Sequence, residues 1–92
     1  MTDSRDIAAA WQGLTPMQRA VAMLVRDGLC DKAIADRLRI SVRGTRYHMD
    51  RLRLIFNCDS KLSLAVATER AIWALSLLTP SQNERPVENL RP

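Results

Sequence analysis

Apolar residues recur at helical spacing in four stretches of the chain, and residues that start or stop helices stand between them. The first stretch opens with Leu14-Thr15-Pro16-Met17-Gln18. Thr15 can cap, Pro16 suits the first helical position and Gln18 can close a capping box. Met17, Val21, Leu24 and Val25 then repeat until Gly28, which can take the left-handed conformation past a helix end, so a helix is predicted over 16–27. After Leu29 comes a helix of about two turns, with Ile34, Ala35 and Leu38 inward and Asp31 as cap or first-turn acid. Arg39 and Ile40 connect it to a third helix over 42–56, with Ser41 as its N-cap and Asn57 as its terminator. On that helix Thr45, His48, Met49, Leu52, Ile55 and Phe56 fall on one side, and Arg43, Arg46, Tyr47, Asp50 and Arg53 on the other. The first set is a core face and the second a polar one.

The fourth helix is harder to orient. Asp59 and Ser60 can open it, and over 61–78 its apolar residues form two roughly opposed stripes. Leu62, Val66, Trp73 and Leu77 make one, and Leu64, Ala71, Leu75 and Leu78 make the other. One stripe suffices for the core, and the second is expected at a dimer surface: Leu64, Ala71, Leu75 and Leu78. Residues 1–13 form either an N-terminal arm or a short helix running into Trp11, while 79–92 have three prolines and no apolar period, the pattern of a flexible, disordered tail. Trp11 and Trp73 are expected in core or dimer packing.

At 92 residues and 47% apolar, the chain has material for one core and hence one domain, residues 14–78. Its charge is unevenly placed. Between Arg37 and Arg53 six arginines face one acid, Asp50, so this stretch carries +5 while the chain as a whole carries +4. Such a patch is an electrostatic footprint for a polyanion, nucleic acid foremost, or else a solvated helix face. Cys30 and Cys58 form no C-x-x-C pair and His48 stands alone, so neither a zinc set nor a disulfide framework is readable and no cofactor is expected. The start lacks the pattern of a secretory signal, and Ser63, Thr68, Glu69, Arg70 and Ser76 interrupt the most apolar stretch, so a cytoplasmic protein without a membrane span is expected. No nucleophile with a base or phosphate-cradling glycine loop is present, which argues against an enzyme.

The run LTPMQRAVAMLVRDGLCDKAIADRLRIS, followed by VRGTRYHMDRLRLIFNCDSK, resembles the LuxR/GerE-type (NarL/FixJ-like) helix-turn-helix domain. The likeness covers residues 14–64 without gaps and rests on Leu14, Thr15, Pro16, Val21, Leu24, Gly28, Lys32, Ile34, Ala35, Leu38, Ile40, Ser41, His48, Leu52 and Phe56. Gln18 and Ala20 replace two usual glutamates, Cys30 and Ala33 replace a second capping box, Gly44-Thr45 stand for Thr-Val, and Asn57 stands for the glycine that ends the third helix. The resemblance implies an all-α, four-helix domain with its third helix in the DNA major groove; members of the family commonly carry a sensor or receiver domain before it, and with only about 13 residues there a stand-alone domain is expected. It implies a homodimeric transcription regulator of double-stranded DNA.

Arg46 could then offer a bidentate fork to guanine, Tyr47 an apolar edge or hydroxyl, and Asp50 an acceptor to cytosine, unless Asp50 pairs with Arg46 or Arg53 within the helix. Arg43 would read a base or clamp a phosphate. Lys32, Arg51 and Lys61 would neutralise phosphates. Arg37 and Arg39 lie nearer the turn, and His48 is expected to pack half-buried with one hydrogen bond. The competing expectation is a protein-interaction antagonist that pairs with a larger regulator or with RNA polymerase.

Overall fold

A computed structural model describes residues 4–78, and all its regular elements are helices: α1 (Ser4–Gln12), α2 (Pro16–Arg26), α3 (Asp31–Leu38), α4 (Val42–Ile55) and α5 (Lys61–Leu78). The tail expected over 79–92 lies outside the described residues. Where four helices were expected there are five, because the segment before Gly13 is a helix. Its apolar residues Ile7, Ala8 and Trp11 share one face, and that face is buried against α5. Arg19 closes its C-terminus, donating from Nε to the Trp11 carbonyl at 3.3 Å and from Nη2 to the Gln12 carbonyl at 2.9 Å. A cation is favourable there because the last carbonyls of a helix carry partial negative charge.

Local sequence accounts for most helix boundaries. Thr15 and Gln18 form the reciprocal capping box, with Gln18 N–H donating to Thr15 Oγ1 at 3.1 Å and Thr15 N–H to Gln18 Oε1 at 2.9 Å. Ser41 Oγ accepts from Gly44 N–H at 2.8 Å at the start of α4, and Ser60 Oγ accepts from Ser63 N–H at 3.0 Å beside the start of α5. At Gly44 an added Cβ would lie 3.1 Å from Ser41 Oγ, so the missing side chain leaves room for the cap.

Helices α2, α3 and α4 all end the same way. A left-handed residue follows each helix (Gly28, Arg39, Asn57), and the next N–H reaches back to a carbonyl five residues earlier. Leu29 bonds Leu24, Ile40 bonds Ala35 and Cys58 bonds Arg53. Gly28 and Asn57 were expected in this role. The sequence marks Arg39 only as part of a connection, and its φ of 59° is a conformation that costs an L-residue about 1–2 kcal/mol.

The core joins all five helices. Ile7 and Trp11, Val21, Ala22 and Val25, Ile34, Met49 and Leu52, and Leu64 and Ala71 form one cluster with Leu14 from the α1–α2 turn. Helices α1 and α2 both lie along α5, and α4 rests mainly on α3 and α2. This leaves the outer side of α4 uncovered. No helix among the described residues is long and apolar enough to cross a membrane.

Candidate nucleic-acid interface

The alternation of faces along α4 sorts its side chains nearly as the sequence predicts. Thr45, Met49 and Leu52 are buried, His48 and Phe56 are half-buried, and Arg43, Arg46, Tyr47, Asp50 and Arg51 are exposed. Tyr47 is 59% exposed, unusual for an aromatic side chain without a covering partner. Ile55 departs from expectation. It is exposed rather than inward, because α4 ends there and the chain turns through Asn57 before α5 begins. Arg53, expected outward, is half-buried, and its Nε is enclosed without a hydrogen-bond partner among the described residues.

The outward groups have different degrees of freedom. Arg43, Arg51 and Lys32 make no ion pair among the described residues, so their charges face solvent. Asp50 lies 3.9 Å from Arg53 Nη1, one turn along the same helix, in an exposed pair of small energetic weight. His48 packs edge-on beside Tyr47, with ring centroids 5.6 Å apart. Its Nδ1 is buried without a partner, so the expected hydrogen bond is not made at that atom.

One side-chain cluster ties the outer face of α4 to its neighbours. Asp31, the first residue of α3, accepts from Arg46 Nε at 3.2 Å through Oδ2 and from Lys61 Nζ at 3.0 Å through Oδ1. Lys61 also donates to the Leu29 carbonyl at 2.9 Å. The three side chains, with Met49, Asp50 and Arg53, line a recess of about 260 Å³. The bond from Lys61, with that from Arg46, holds the Asp31 carboxyl below the ordinary carboxylate range against the opposing effect of burial. Lys61 therefore braces the α2–α3 turn against α5, and two of its three N–H groups are engaged inside the protein rather than free for phosphate. Asp31 does not cap α3: the N-cap is Cys30, whose side chain makes no capping bond. No spacing in the sequence announces a contact between residues 31, 46 and 61, since it joins three separate helices.

Neither a family model, a curated protein nor a solved structure matches the chain.

The two stripes of α5 exchange their expected roles. Leu64 and Ala71, expected at a dimer surface, are fully buried in the chain's own core, and Leu75 packs against it. Leu62, Val66, Trp73 and Leu77 are the exposed stripe. The reason is packing size. With Ala71 and Ala74 on the inward side, α1 and α2 can approach α5 closely, whereas Trp73 would hold them apart. Near its start the exposed stripe borders an open groove of about 830 Å³ walled by α1 and the end of α4, with Ile7, Ile55, Phe56, Val66 and Arg70 among its lining.

Proposed function

We propose that this chain is a sequence-specific DNA-binding transcription regulator that acts as a homodimer, with α4 in the major groove. The observation that carries the proposal is the outer face of α4. Arg43, Arg46, Tyr47 and Asp50 stand exposed along its first half, on a short-helix, tight-turn, longer-helix unit whose opposite face is buried. A helix fits the major groove, and these side chains can address base edges: Arg46 a guanine, Asp50 a cytosine amino group, Tyr47 an apolar edge, and Arg43 a base or a phosphate. The resemblance to LuxR/GerE-type domains leads to the same residues. Lys32 and Arg51, exposed and without an ion pair among the described residues, suit phosphates on either side.

Dimer formation is supported by the exposed stripe Leu62, Val66, Trp73 and Leu77. Four large apolar side chains along one helix face are costly to leave in water. A two-fold dimer would also double the number of bases read. The same stripe favours a second reading, an antagonist that pairs with a larger regulator or with RNA polymerase.

Selection on a randomised duplex library separates the two. For a regulator, Arg46→Ala should cost about 1–3 kcal/mol on the preferred site and flatten preference at one base pair. Lys32→Ala should weaken all sequences alike and reduce the salt slope by about 0.9. Trp73→Glu should yield monomers in sedimentation while helicity is kept. Failure of the unmutated chain to bind any fragment would favour the antagonist.

A further inference from the structure

We infer that Asp31 is a positioning residue for Arg46, whose guanidinium it holds by one edge so that the other edge is presented outward from α4. The inference rests on the reading of α4 as the base-reading helix and adds to it a specificity-determining residue on a different helix.

The geometry distinguishes Arg46 from its neighbours. Arg46 is bound through Nε to Asp31 Oδ2, and its two terminal nitrogens have no partner among the described residues. A bond at Nε restrains the guanidinium plane and leaves Nη1 and Nη2 as a fork, the arrangement that matches guanine O6 and N7. Arg43 has no such restraint, and the enclosed Nε of Arg53 is bonded to nothing. The side chain of Arg46 is 66% exposed, so without Asp31 little else would fix it.

Asp31 is suited to this role because it is anchored in turn. Lys61 bonds its other oxygen and the Leu29 carbonyl, which fixes the carboxylate to the α2–α3 turn. Two cations approach two different oxygens, and only a carboxylate can accept from both. An asparagine would turn an amide donor toward either Lys61 or Arg46. The negative charge has a second effect. It partly neutralises Arg46, lowering its attraction for phosphates in general while leaving its directional hydrogen bonds for a base edge.

Five proteins measured on the same library test this: the unmutated chain, Asp31→Ala, Arg46→Ala, the double variant and Lys61→Met, the last as a control for loosening of the turn. Asp31→Ala should lower preference at the base pair read by Arg46 about 2- to 12-fold, the effect of releasing one long side chain before binding. Non-specific affinity should stay unchanged or tighten, because a negative charge has gone. A purely structural role would weaken both together. The double variant should show the preference of Arg46→Ala alone, and Lys61→Met, which frees one oxygen of Asp31 but leaves its bond to Arg46, should lower the preference less than Asp31→Ala does. If Arg46→Ala flattens the preference and Asp31→Ala does not, or if Lys61→Met flattens it equally, Asp31 is not a positioning residue and the DNA reading stands. If the unmutated chain shows no base preference at all, both fall.

Discussion

Helices α4 and α5 each turn one face inward and one outward, yet the two outward faces have opposite chemistry. That of α4 carries Arg43, Arg46, Asp50 and Arg51, groups that water solvates at no cost. That of α5 carries Leu62, Val66, Trp73 and Leu77, groups that water disfavours. The inward faces also differ. On α4 the buried polar group Thr45 donates to the Ser41 carbonyl at 3.1 Å, whereas on α5 the hydroxyl of the buried Thr68 has no partner among the described residues. Both patterns have breaks: α4 exposes Leu54 and Ile55 near its end and buries His48 Nδ1 and Arg53 Nε without a partner among the described residues, while α5 exposes four large apolar side chains along one stripe. Such inconsistency is expected where a surface serves something beyond the fold of the single chain.

The largest test of this contrast lies within α5, between two leucines two positions apart. Leu64 is fully buried and Leu62 is 75% exposed. Leu64→Ala should destabilise the chain by about 2–5 kcal/mol in urea unfolding. Leu62→Ala, measured at a concentration where the chain is monomeric, should change stability by no more than about 0.5 kcal/mol. Equal effects would mean that the assignment of the two stripes is wrong.

A smaller and sharper test exchanges the two buried threonines for valine, a substitution of similar volume. Thr68→Val removes a hydroxyl that is buried without a partner and should raise stability by about 1 kcal/mol or more. Thr45→Val removes one that is hydrogen-bonded and should lower it by about 0.5–1.5 kcal/mol. Thermal or urea midpoints moving in the same direction for both would contradict the difference in their surroundings.

The smallest effect concerns Asp31, where α4 and α5 meet through Arg46 and Lys61. Its folded-state carboxyl lies below the ordinary value of 3.8, so the stability it contributes is present above that pH and lost as the pH falls through the folded value. The gap in unfolding midpoint between the unmutated chain and Asp31→Ala should therefore narrow from about pH 6 to about pH 3. A gap that widens on acidification would show that the Lys61 and Arg46 bonds do not stabilise the carboxylate.

How far the fold and the candidate site are legible without coordinates follows from the range of the interactions. Caps and terminators act over three to five residues, so Thr15 with Gln18, Ser41, Gly28 and Asn57 can be read directly from their neighbours. The inward face of α4 is legible because its arginines and Asp50 concentrate on the other side. Left-handed Arg39 is not, since arginine gives no local signal for that conformation. Ile55 is misread for a related reason: periodicity assigns a face, but where a helix stops decides whether anything covers that face.

Sequence alone thus determined the helix-turn-helix order of α2 to α4, the core side of α4 and the basic character of its outer face, because each depends on residues one or two turns apart. Tertiary structure decided three other features. It selected the alanine-bearing stripe of α5 for the core, since close approach of α1 and α2 requires small residues there. It ordered the first segment as a helix, since Ile7 and Trp11 are buried only when α5 lies beside them. It also brought Asp31, Arg46 and Lys61 together, because a contact among three helices exists only once all three have packed.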